Sequence, residues 1–403
     1  MKKQPLVLFA VCLVAFFITS SVVAQSPKFK ADKQLLQLIQ KNFADAANQY
    51  KVLQRNLPED KFPKTYDPRA NKYEFSNSGW WCSGFYPGTL LYLYEQTKDA
   101  SLYNEAIRIM KVLEKEQFNK GTHDLGFMMY CSFGNAKRIN PKPEYDEIIL
   151  NSARSLSTRF NPTVGCIKSW DSKPSDFLVI IDNMMNLELL FQATRMTGDS
   201  SFWRIAVTHA NTTIKNHFRP DNSSYHVLNY DPNTGAIQQK RTAQGAANES
   251  AWARGNAWGL YGYTETYRET KDKVYLDQSI KIADYLLNHP NLPADKIPYW
   301  DFNAPDIPNA LRDASAGSIM ASALLELSQY VDAKRSAAYI KVAETIIRTL
   351  STPTYKAAPG TNGGFILQHG VGHKPQGTEI DMPLTYGDYY FIEAMKRYKE
   401  LAK

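Results

Sequence analysis

Cysteine, basic clusters and low-complexity segments are scarce or absent in this sequence. It contains 4 cysteines, and three of them, Cys82, Cys131 and Cys166, lack the paired spacing of a zinc site or a disulfide framework. Lys and Arg form no long run, which argues against nucleic acid as a partner. A glycine-rich phosphate loop and a serine nucleophile elbow are also missing. The sequence therefore predicts no metal site, no cofactor and no disulfide-stapled fold.

Apolar and aromatic residues are abundant instead. Hydrophobic residues make up 43% and aromatic residues 12% of the 403 positions, which excludes a disordered chain and a collagen-like repeat. Aromatic rings serve either as core or as a platform for flat or sugar-like ligands. The formal net charge is +7, and a mildly basic protein suits a polyanionic partner.

The N-terminus has the order of a secretory signal peptide. Two lysines precede an apolar run over residues 6–18, and small residues follow up to Ala24. The run is shorter than the roughly 20 residues that a membrane span needs, and Cys12 lies too deep in it for lipid attachment. We expect cleavage after Ala24, export to the periplasm or beyond, and one mature domain over residues 25–403 without a membrane span.

Apolar residues recur at helical spacing in twelve segments of the mature chain. Polar turns separate several of these segments at Asp99, Asp199, Asp272 and, more loosely, Asp332, where each carboxylate can cap the next helix. Periodic helical hairpins of this kind predict a solenoid or a closed ring. The predicted helices span residues 32–52, 85–97, 101–117, 124–136, 144–159, 182–197, 200–216, 250–269, 273–288, 313–330, 334–350 and 384–402.

The even-numbered helices differ from the odd-numbered helices in composition. The even ones are apolar or small on every side, which is typical of buried helices, whereas the odd ones carry a charged face. Six buried helices that alternate with six two-faced helices predict an all-α protein, a single (α/α)6 barrel of six helical hairpins. Residues 217–249 hold β-prone and turn-forming residues, which predict a small β-hairpin on the rim.

Inner helices of such a ring run in one direction, so the residues that precede them gather at one end. Among these residues are Asp182 and Asp124, each of which could simply cap its helix. Asp182 follows an apolar run, and loss of water there favours the proton-donating form of a carboxyl group, while the helix N-terminus favours its charge. A second carboxylate nearby would raise one pKa further. We therefore predict acid and base chemistry for the pair.

Other polar groups are weaker candidates. His226 on the predicted hairpin is, taken alone, more typical of a surface histidine. Arg254 lies in an apolar helix and needs an anion, which is either a carboxylate of the protein or one of a ligand. His369 and His373 have the i,i+4 spacing of a zinc-binding helix, but the glycines between them favour a loop.

Seven short stretches extend these observations along nearly the whole mature chain. They are Ser83–Gly88, His123–Phe127, Ile181–Asn186, Tyr225–Val227, Gln244–Gly245, Ser250–Trp258 and Tyr386–Phe391. In this order they make the chain similar to glycoside hydrolase family 88, the unsaturated glucuronyl hydrolases. The resemblance implies an (α/α)6 barrel and an enzyme that removes the 4,5-unsaturated uronic acid that polysaccharide lyases leave at the non-reducing end of oligosaccharides.

The resemblance also implies roles for individual residues. Asp182 matches the acid that protonates C4 of the enol ether and then acts as base while water adds at C5, and Asp124 matches a carboxylate that assists it. Residues that match the lining of the unsaturated-sugar subsite are Trp81, His226, Gln244, Arg254 and Trp258. We expect Arg254 to bind the uronate carboxylate through charge-assisted hydrogen bonds.

A further match concerns sulfate. Lys374 corresponds to the lysine of a loop that accepts sulfate in some members of the family, although the serines of that loop are missing here. Unsaturated oligosaccharides derived from sulfated glycosaminoglycans are therefore a hypothesis for the substrate.

Three alternatives stay open at this point. An unsaturated rhamnogalacturonyl hydrolase would share the barrel and the chemistry, although the His123–Phe127 stretch and the tryptophan-arginine segment favour the glucuronyl enzyme. A lyase or sugar epimerase with the same barrel is the second alternative, and a lyase would create the double bond. A non-catalytic exported glycan-binding protein, the third, would bind polymer without turnover. The preferred linkage and the oligomeric state are open as well.

Overall fold

The computed structural model describes residues 29–403, so the expected signal peptide over residues 1–24 lies outside the described residues. The helices of the described part are α1 (Lys33–Asn56), α2 (Phe85–Thr97), α3 (Ala100–Leu113), α4 (Asn135–Ile139), α5 (Pro143–Ser157), α6 (Leu187–Thr197), α7 (Ser200–His217), α8 (Ala253–Thr270), α9 (Lys273–Asn288), α10 (Ala314–Leu327), α11 (Ala333–Leu350) and α12 (Thr385–Leu401). The π-helical segment Gly126–Gly134 leads into α4, and the 3₁₀ segment Ile181–Asn186 leads into α6.

The even-numbered helices form a closed inner ring. Each inner helix packs on the next one around the ring, and the π-helical segment before α4 makes the contacts of the second position. The order is α2, the π-helical segment, α6, α8, α10 and α12, and α12 packs on α2 to close the ring. Each outer helix packs on an inner neighbour. Every residue of α10 is buried, whereas only 9 of the 24 residues of α1 are, as expected for inner and outer helices. The predicted all-α (α/α)6 barrel is confirmed.

Short turns join several inner helices to the outer helices that follow them. Lys98, Gly198 and Lys271 each end an inner helix in the left-handed conformation, which stops the helix within one residue. The next residue is an aspartate whose side chain accepts a hydrogen bond from the first turn of the outer helix. The looser copy at Asp332 also caps its helix. These turns confirm the predicted repeat and define one end of the barrel, the lower end.

The connections at the other end, the upper end, are longer and carry the strands. The strands are β1 (Phe62–Asp67), β2 (Lys72–Ser76), β3 (Phe160–Asn161), β4 (Cys166–Ile167), β5 (Phe177–Ile180), β6 (Val227–Tyr230), β7 (Ile237–Arg241), β8 (Gly370–His373) and β9 (Thr378–Met382). The predicted rim hairpin is β6–β7, and β5 joins it to form a three-stranded antiparallel sheet. The pairs β1–β2, β3–β4 and β8–β9 were not predicted, because short strands give little periodic signal.

No helix within residues 29–403 is long and apolar enough to cross a membrane.

The inner helix α8 approaches the 3₁₀ segment Ile181–Asn186 so closely that a glycine is needed. A methyl group on Gly262 would lie 2.9 Å from the carbonyl carbon of Met184 and closer still to its Cβ. A methyl group on Gly259, one turn earlier, would make ordinary contacts of 3.6 Å or more. The same helix therefore contains a tight position and a matched loose one.

We expect Gly262→Ala to lower the free energy of unfolding by about 1–3 kcal/mol, because the added methyl overpacks the contact with Met184. Gly259→Ala should be neutral or stabilising, since alanine favours helix by up to ~1 kcal/mol. Denaturant unfolding of both variants measures the difference. Equal stabilities would contradict the close approach of α8.

Candidate active site

The end of strand β5 delivers Asp182 to the upper end of the barrel. Ile180 pairs with Val227 in the sheet, and the Ile181 N–H donates to the His226 carbonyl at 3.1 Å. Asp182 therefore lies just after strand β5, and His226 lies just before the neighbouring strand β6. Pairing of β5 with β6 brings the two side chains to the same place, although they are far apart in the sequence.

Asp182 is buried and does not cap a helix. The residue is 8% exposed, and its Oδ2 has no hydrogen-bond partner within residues 29–403. Burial raises the pKa of Asp182 to about 7, the Arg254 charge opposes this shift, and the Asp124 charge adds to it. The interpretation of Asp182 as an ordinary N-cap is wrong, because the 3₁₀ segment begins without a side-chain cap. A carboxyl with such a pKa can give and take a proton near neutral pH.

His226 faces Asp182 with a fixed tautomer. Its Nδ1 accepts hydrogen bonds from the backbone N–H groups of Ala243 and Gln244 at 3.1 and 3.2 Å. The ring proton therefore resides on Nε2, which lies 3.8 Å from the Asp182 Oδ2. The side chain is buried, and burial holds the pKa of His226 well below its usual value. The histidine is a neutral donor beside the acid and not the surface residue that its sequence context favoured.

Asp124 is the second carboxyl of the site, with a side chain that is 13% exposed, and Asn186 links it to the Asp182 segment. The Asn186 amide donates to Asp124 Oδ1 at 3.4 Å and accepts from the Phe127 N–H at 2.9 Å. Gly126 allows this approach, since a Cβ there would lie 2.6 Å from the Asn186 Cα. Burial raises the pKa of Asp124 to about 7 against the hydrogen bonds from Asn186 and Thr122. Sequence reasoning assigned no role to Asn186, because only the fold reveals its partner.

Arg254 forms an ion pair with a carboxylate of the protein, that of Asp313. The guanidinium donates to Asp313 Oδ2 at 3.1 Å and to the carbonyls of Val371 and Gly372 at 2.5 and 2.6 Å. It lies 4.5 Å from the Trp252 ring centre. The sequence left open whether the partner of Arg254 is a carboxylate of the protein or one of a ligand, and in the structure it is the protein carboxylate of Asp313. Arg254 thereby fixes strand β8 at the mouth, and its binding of a uronate stays a prediction.

The remaining predicted sugar-binding residues differ in position. Trp81 is partly buried at the mouth, with its ring 4.8 Å from that of Tyr386. Trp258 is fully buried below the mouth, where its ring lies 5.0 Å from Phe127 and its indole N–H has no partner in the described chain. Gln244 lies beside His226 and contributes its backbone N–H. Contact of these side chains with a sugar remains a prediction.

Lys374 lies just after the strand that Arg254 fixes. Its Nζ is 3.4 Å from the Asp306 carboxylate and 5.0 Å from the centre of the Trp300 ring, and its side chain is 30% exposed. His369 precedes strand β8 and His373 ends it, so the segment between them is a strand and not the loop that its glycines favoured. Residues 29–403 contain no group of three or more His, Cys, Asp or Glu side chains that could hold a metal ion.

Comparisons with known proteins identify relatives of this chain. The family model for Glycosyl Hydrolase Family 88 matches residues 54–291. The chain is 43% identical over 376 residues to an unsaturated glucuronyl hydrolase of Formosa agariphila, covering 92% of this chain and 93% of that protein. It is 33% identical over 344 residues to an unsaturated chondroitin disaccharide hydrolase of Streptococcus pneumoniae, covering 83% of this chain and 85% of that protein.

Solved structures give the same result. The fold matches that of an unsaturated glucuronyl hydrolase specific for heparin with a TM-score of 0.87 at 46% identity, covering 90% of this chain and 97% of the other. It matches that of an unsaturated glucuronyl hydrolase responsible for the degradation of glycosaminoglycan, from Bacillus sp. GL1, with a TM-score of 0.84 at 30% identity, covering 89% and 96%.

The electrostatic coupling of the two carboxyls predicts a shift in pH dependence. If protonated Asp182 is the active form, kcat/KM on an unsaturated disaccharide falls as the pH rises through about 7. Asp124→Asn removes the charge that raises the pKa of Asp182, so the alkaline limb should move to lower pH. Asp176 is a partly exposed carboxylate next to β5, and Asp176→Asn is the control that should leave the limb in place. An unmoved limb in Asp124→Asn would contradict the coupling.

Proposed function

We propose that the chain, which belongs to glycoside hydrolase family 88 and is a glycoside hydrolase, acts on lyase-generated oligosaccharides. It removes their 4,5-unsaturated uronic acid. The observation that supports this function most directly is the buried Asp182 carboxyl, with one unpartnered oxygen at the mouth of the barrel and Asp124 near enough to raise its pKa. With the signal peptide expected over residues 1–24, the enzyme would work outside the cytoplasm.

The proposed reaction is hydration of the enol ether and not displacement at the anomeric carbon. Asp182 donates its proton to C4, the electron pair of the C4=C5 bond forms the new C–H bond, and the ring oxygen stabilises the positive charge at C5. Water then adds to C5 and returns a proton to the Asp182 carboxylate. The resulting hemiketal opens by cleavage of the bond between C5 and the ring oxygen. The hemiacetal left at C1 then collapses and releases the next sugar.

The surroundings of Asp182 suit both halves of this cycle. An ordinary aspartate is charged at neutral pH and cannot act as an acid, whereas a carboxyl with a pKa of about 7 is half protonated there. The Nε2 of the neutral His226 carries the ring proton and lies 3.8 Å from Asp182 Oδ2, so this donor is close enough to stabilise the carboxylate that forms when the proton leaves. Asp124, tied through Asn186, assists by disfavouring charge on Asp182 before the reaction.

Recognition of the uronate involves Arg254 and an aromatic wall at the mouth of the barrel. Arg254 already contacts Asp313 and two carbonyl groups, so its contribution to uronate binding is its positive potential together with the fixed position of β8. Trp81 and the ring of Tyr386 form an aromatic wall at the mouth, which suits the apolar face of a sugar.

Asp182→Asn tests the acid. We expect kcat to fall by about 10²–10⁴-fold, the usual contribution of a positioned acid, while folding and disaccharide binding persist because asparagine has nearly the same shape. The assay follows the ultraviolet absorbance of the conjugated alkene, which decays with this enzyme, rises with a lyase and stays constant with a binding protein. Lyase products of glycosaminoglycans and rhamnogalacturonan, assayed side by side, distinguish the two hydrolase classes. Near-normal turnover by Asp182→Asn would refute the mechanism.

Lys374 tests the proposal that the substrate is sulfated. Lys374→Ala should raise KM for a sulfated disaccharide by about 5-fold, equivalent to ~1 kcal/mol for a partly exposed charge pair, and leave the unsulfated one unchanged. Asp306→Asn is the matched variant, because it frees Lys374 from its present partner and should lower KM for the sulfated disaccharide. Equal effects on both disaccharides would contradict a sulfate-binding role.

A further inference from the structure

The lower half of the barrel contains a cavity that the proposed reaction does not use. This lower cavity has a volume of about 310 Å³ and is lined by side chains of inner helices, including Tyr261 of α8 and Tyr389 and Glu393 of α12. A second, inner chamber of about 20 Å³ shares these residues and adds Glu265. Glu265 follows Arg254 by eleven residues in α8, which corresponds to roughly 16 Å along the helix axis.

A layer of four aromatic rings separates the lower cavity from the active site. The rings of Phe85, Phe127, Trp258 and Tyr390 come from four inner helices and form a closed circuit with centre-to-centre distances of 5.3, 5.0, 5.2 and 5.8 Å. Rings at these distances are in contact. The lower cavity is therefore a compartment of its own, reached from the opposite end of the barrel.

Carboxyl groups outnumber guanidinium groups around the inner chamber. Arg268 contacts Glu188, Glu269 and Glu326, and a second arginine, Arg397, also contacts Glu326. These two arginines lower the pKa of Glu326 to about 2 in spite of its burial. Both guanidinium groups are thus paired with other glutamates. Glu265 has no ion pair within the described chain.

Glu265 is the group that points to a missing ligand. It is 4% exposed, it lines the inner chamber, and its Oε2 has no hydrogen-bond partner within residues 29–403. A buried carboxyl without a partner costs free energy whether it is charged or neutral. Burial and then the neighbouring Glu188 hold the pKa of Glu265 well above its usual value, which a cationic partner would reverse.

The walls of the lower cavity suit the body of an organic molecule. Tyr130, Tyr261 and Tyr389 contribute aromatic rings, whose faces attract cations. The hydroxyls of Tyr92 and Tyr261 already donate to Glu393, at 3.0 and 2.6 Å. The volume fits a ligand of several heavy atoms, whereas the inner chamber fits a single water-sized group.

We propose that the lower cavity binds a small organic primary amine, with the ammonium group in the inner chamber beside Glu265 and the body against the tyrosine rings. Basic residues at the rim do not oppose this placement, because Lys137 contacts Asp146 and Arg138 contacts Glu95. The site is separate from Asp182, so its occupancy is independent of the hydration chemistry.

Isothermal titration with glucosamine and putrescine at a mildly alkaline pH, where the carboxyls are more fully ionised, tests the proposal. We expect both amines to bind the full-length protein with millimolar or tighter dissociation constants and to raise Tm, and the neutral N-acetylglucosamine not to bind. Glu265→Gln should weaken amine binding at least about 10-fold, since it removes the charge at nearly constant shape. Asp182→Asn should bind the amines as the unchanged protein does.

Cys131 provides a second variant that leaves Glu265 intact. Cys131 lines both the lower cavity and the inner chamber. Cys131→Met should therefore fill part of this space and weaken amine binding if the amine lies in the lower cavity. Failure of both amines to bind the unchanged protein would overturn the proposal, as would undiminished binding by Glu265→Gln. Loss of binding in Asp182→Asn would place the amines in the active site and overturn it equally.

Discussion

Burial of the Asp182 carboxyl with one oxygen unpartnered costs free energy, and the surrounding residues leave this cost largely uncompensated. The Arg254 charge lowers the pKa of Asp182, but Asp313 and two backbone carbonyls hold its guanidinium. His226 could have carried a second positive charge, yet two backbone N–H groups occupy its Nδ1 and burial keeps it neutral. A direct ion pair to either group would lower the pKa of Asp182 and abolish it as an acid.

The same constraint explains why two inner helices depart from α-helical geometry. The segment after Asp124 is π-helical and the segment that contains Asp182 is 3₁₀, and such departures are frequent at functional sites. The Phe127 N–H donates to Asn186 instead of remaining wholly within its own helix. Asn186 in turn reaches Asp124, so the two irregular segments fix each other.

Local signals in the sequence were sufficient for the architecture. Apolar periodicity located the helices, and the capping aspartates at Asp99, Asp199 and Asp272 are as predicted, because a cap involves residues only two or three apart. The pairings that define the site are long-range. Arg254 and Asp313 are 59 residues apart, and Asn186 and Asp124 are 62 apart. Neither partner can be chosen from one sequence without the fold, which is why Arg254 was left with two possible anions.

The two ends of the barrel therefore differ in structure and in chemistry. The aromatic layer that contains Phe127 and Trp258 separates them. Short capped turns at the lower end leave room for little beyond the helices, so polar groups there must be satisfied by inner-helix side chains. Long connections at the upper end bring in backbone groups after β7 and in β8, which are hydrogen-bond partners for the side chains of His226 and Arg254. An acid near neutral pKa needs partners that add no charge, and backbone groups from irregular segments are the partners that meet this requirement. The chemistry therefore resides at the end where the connections are long.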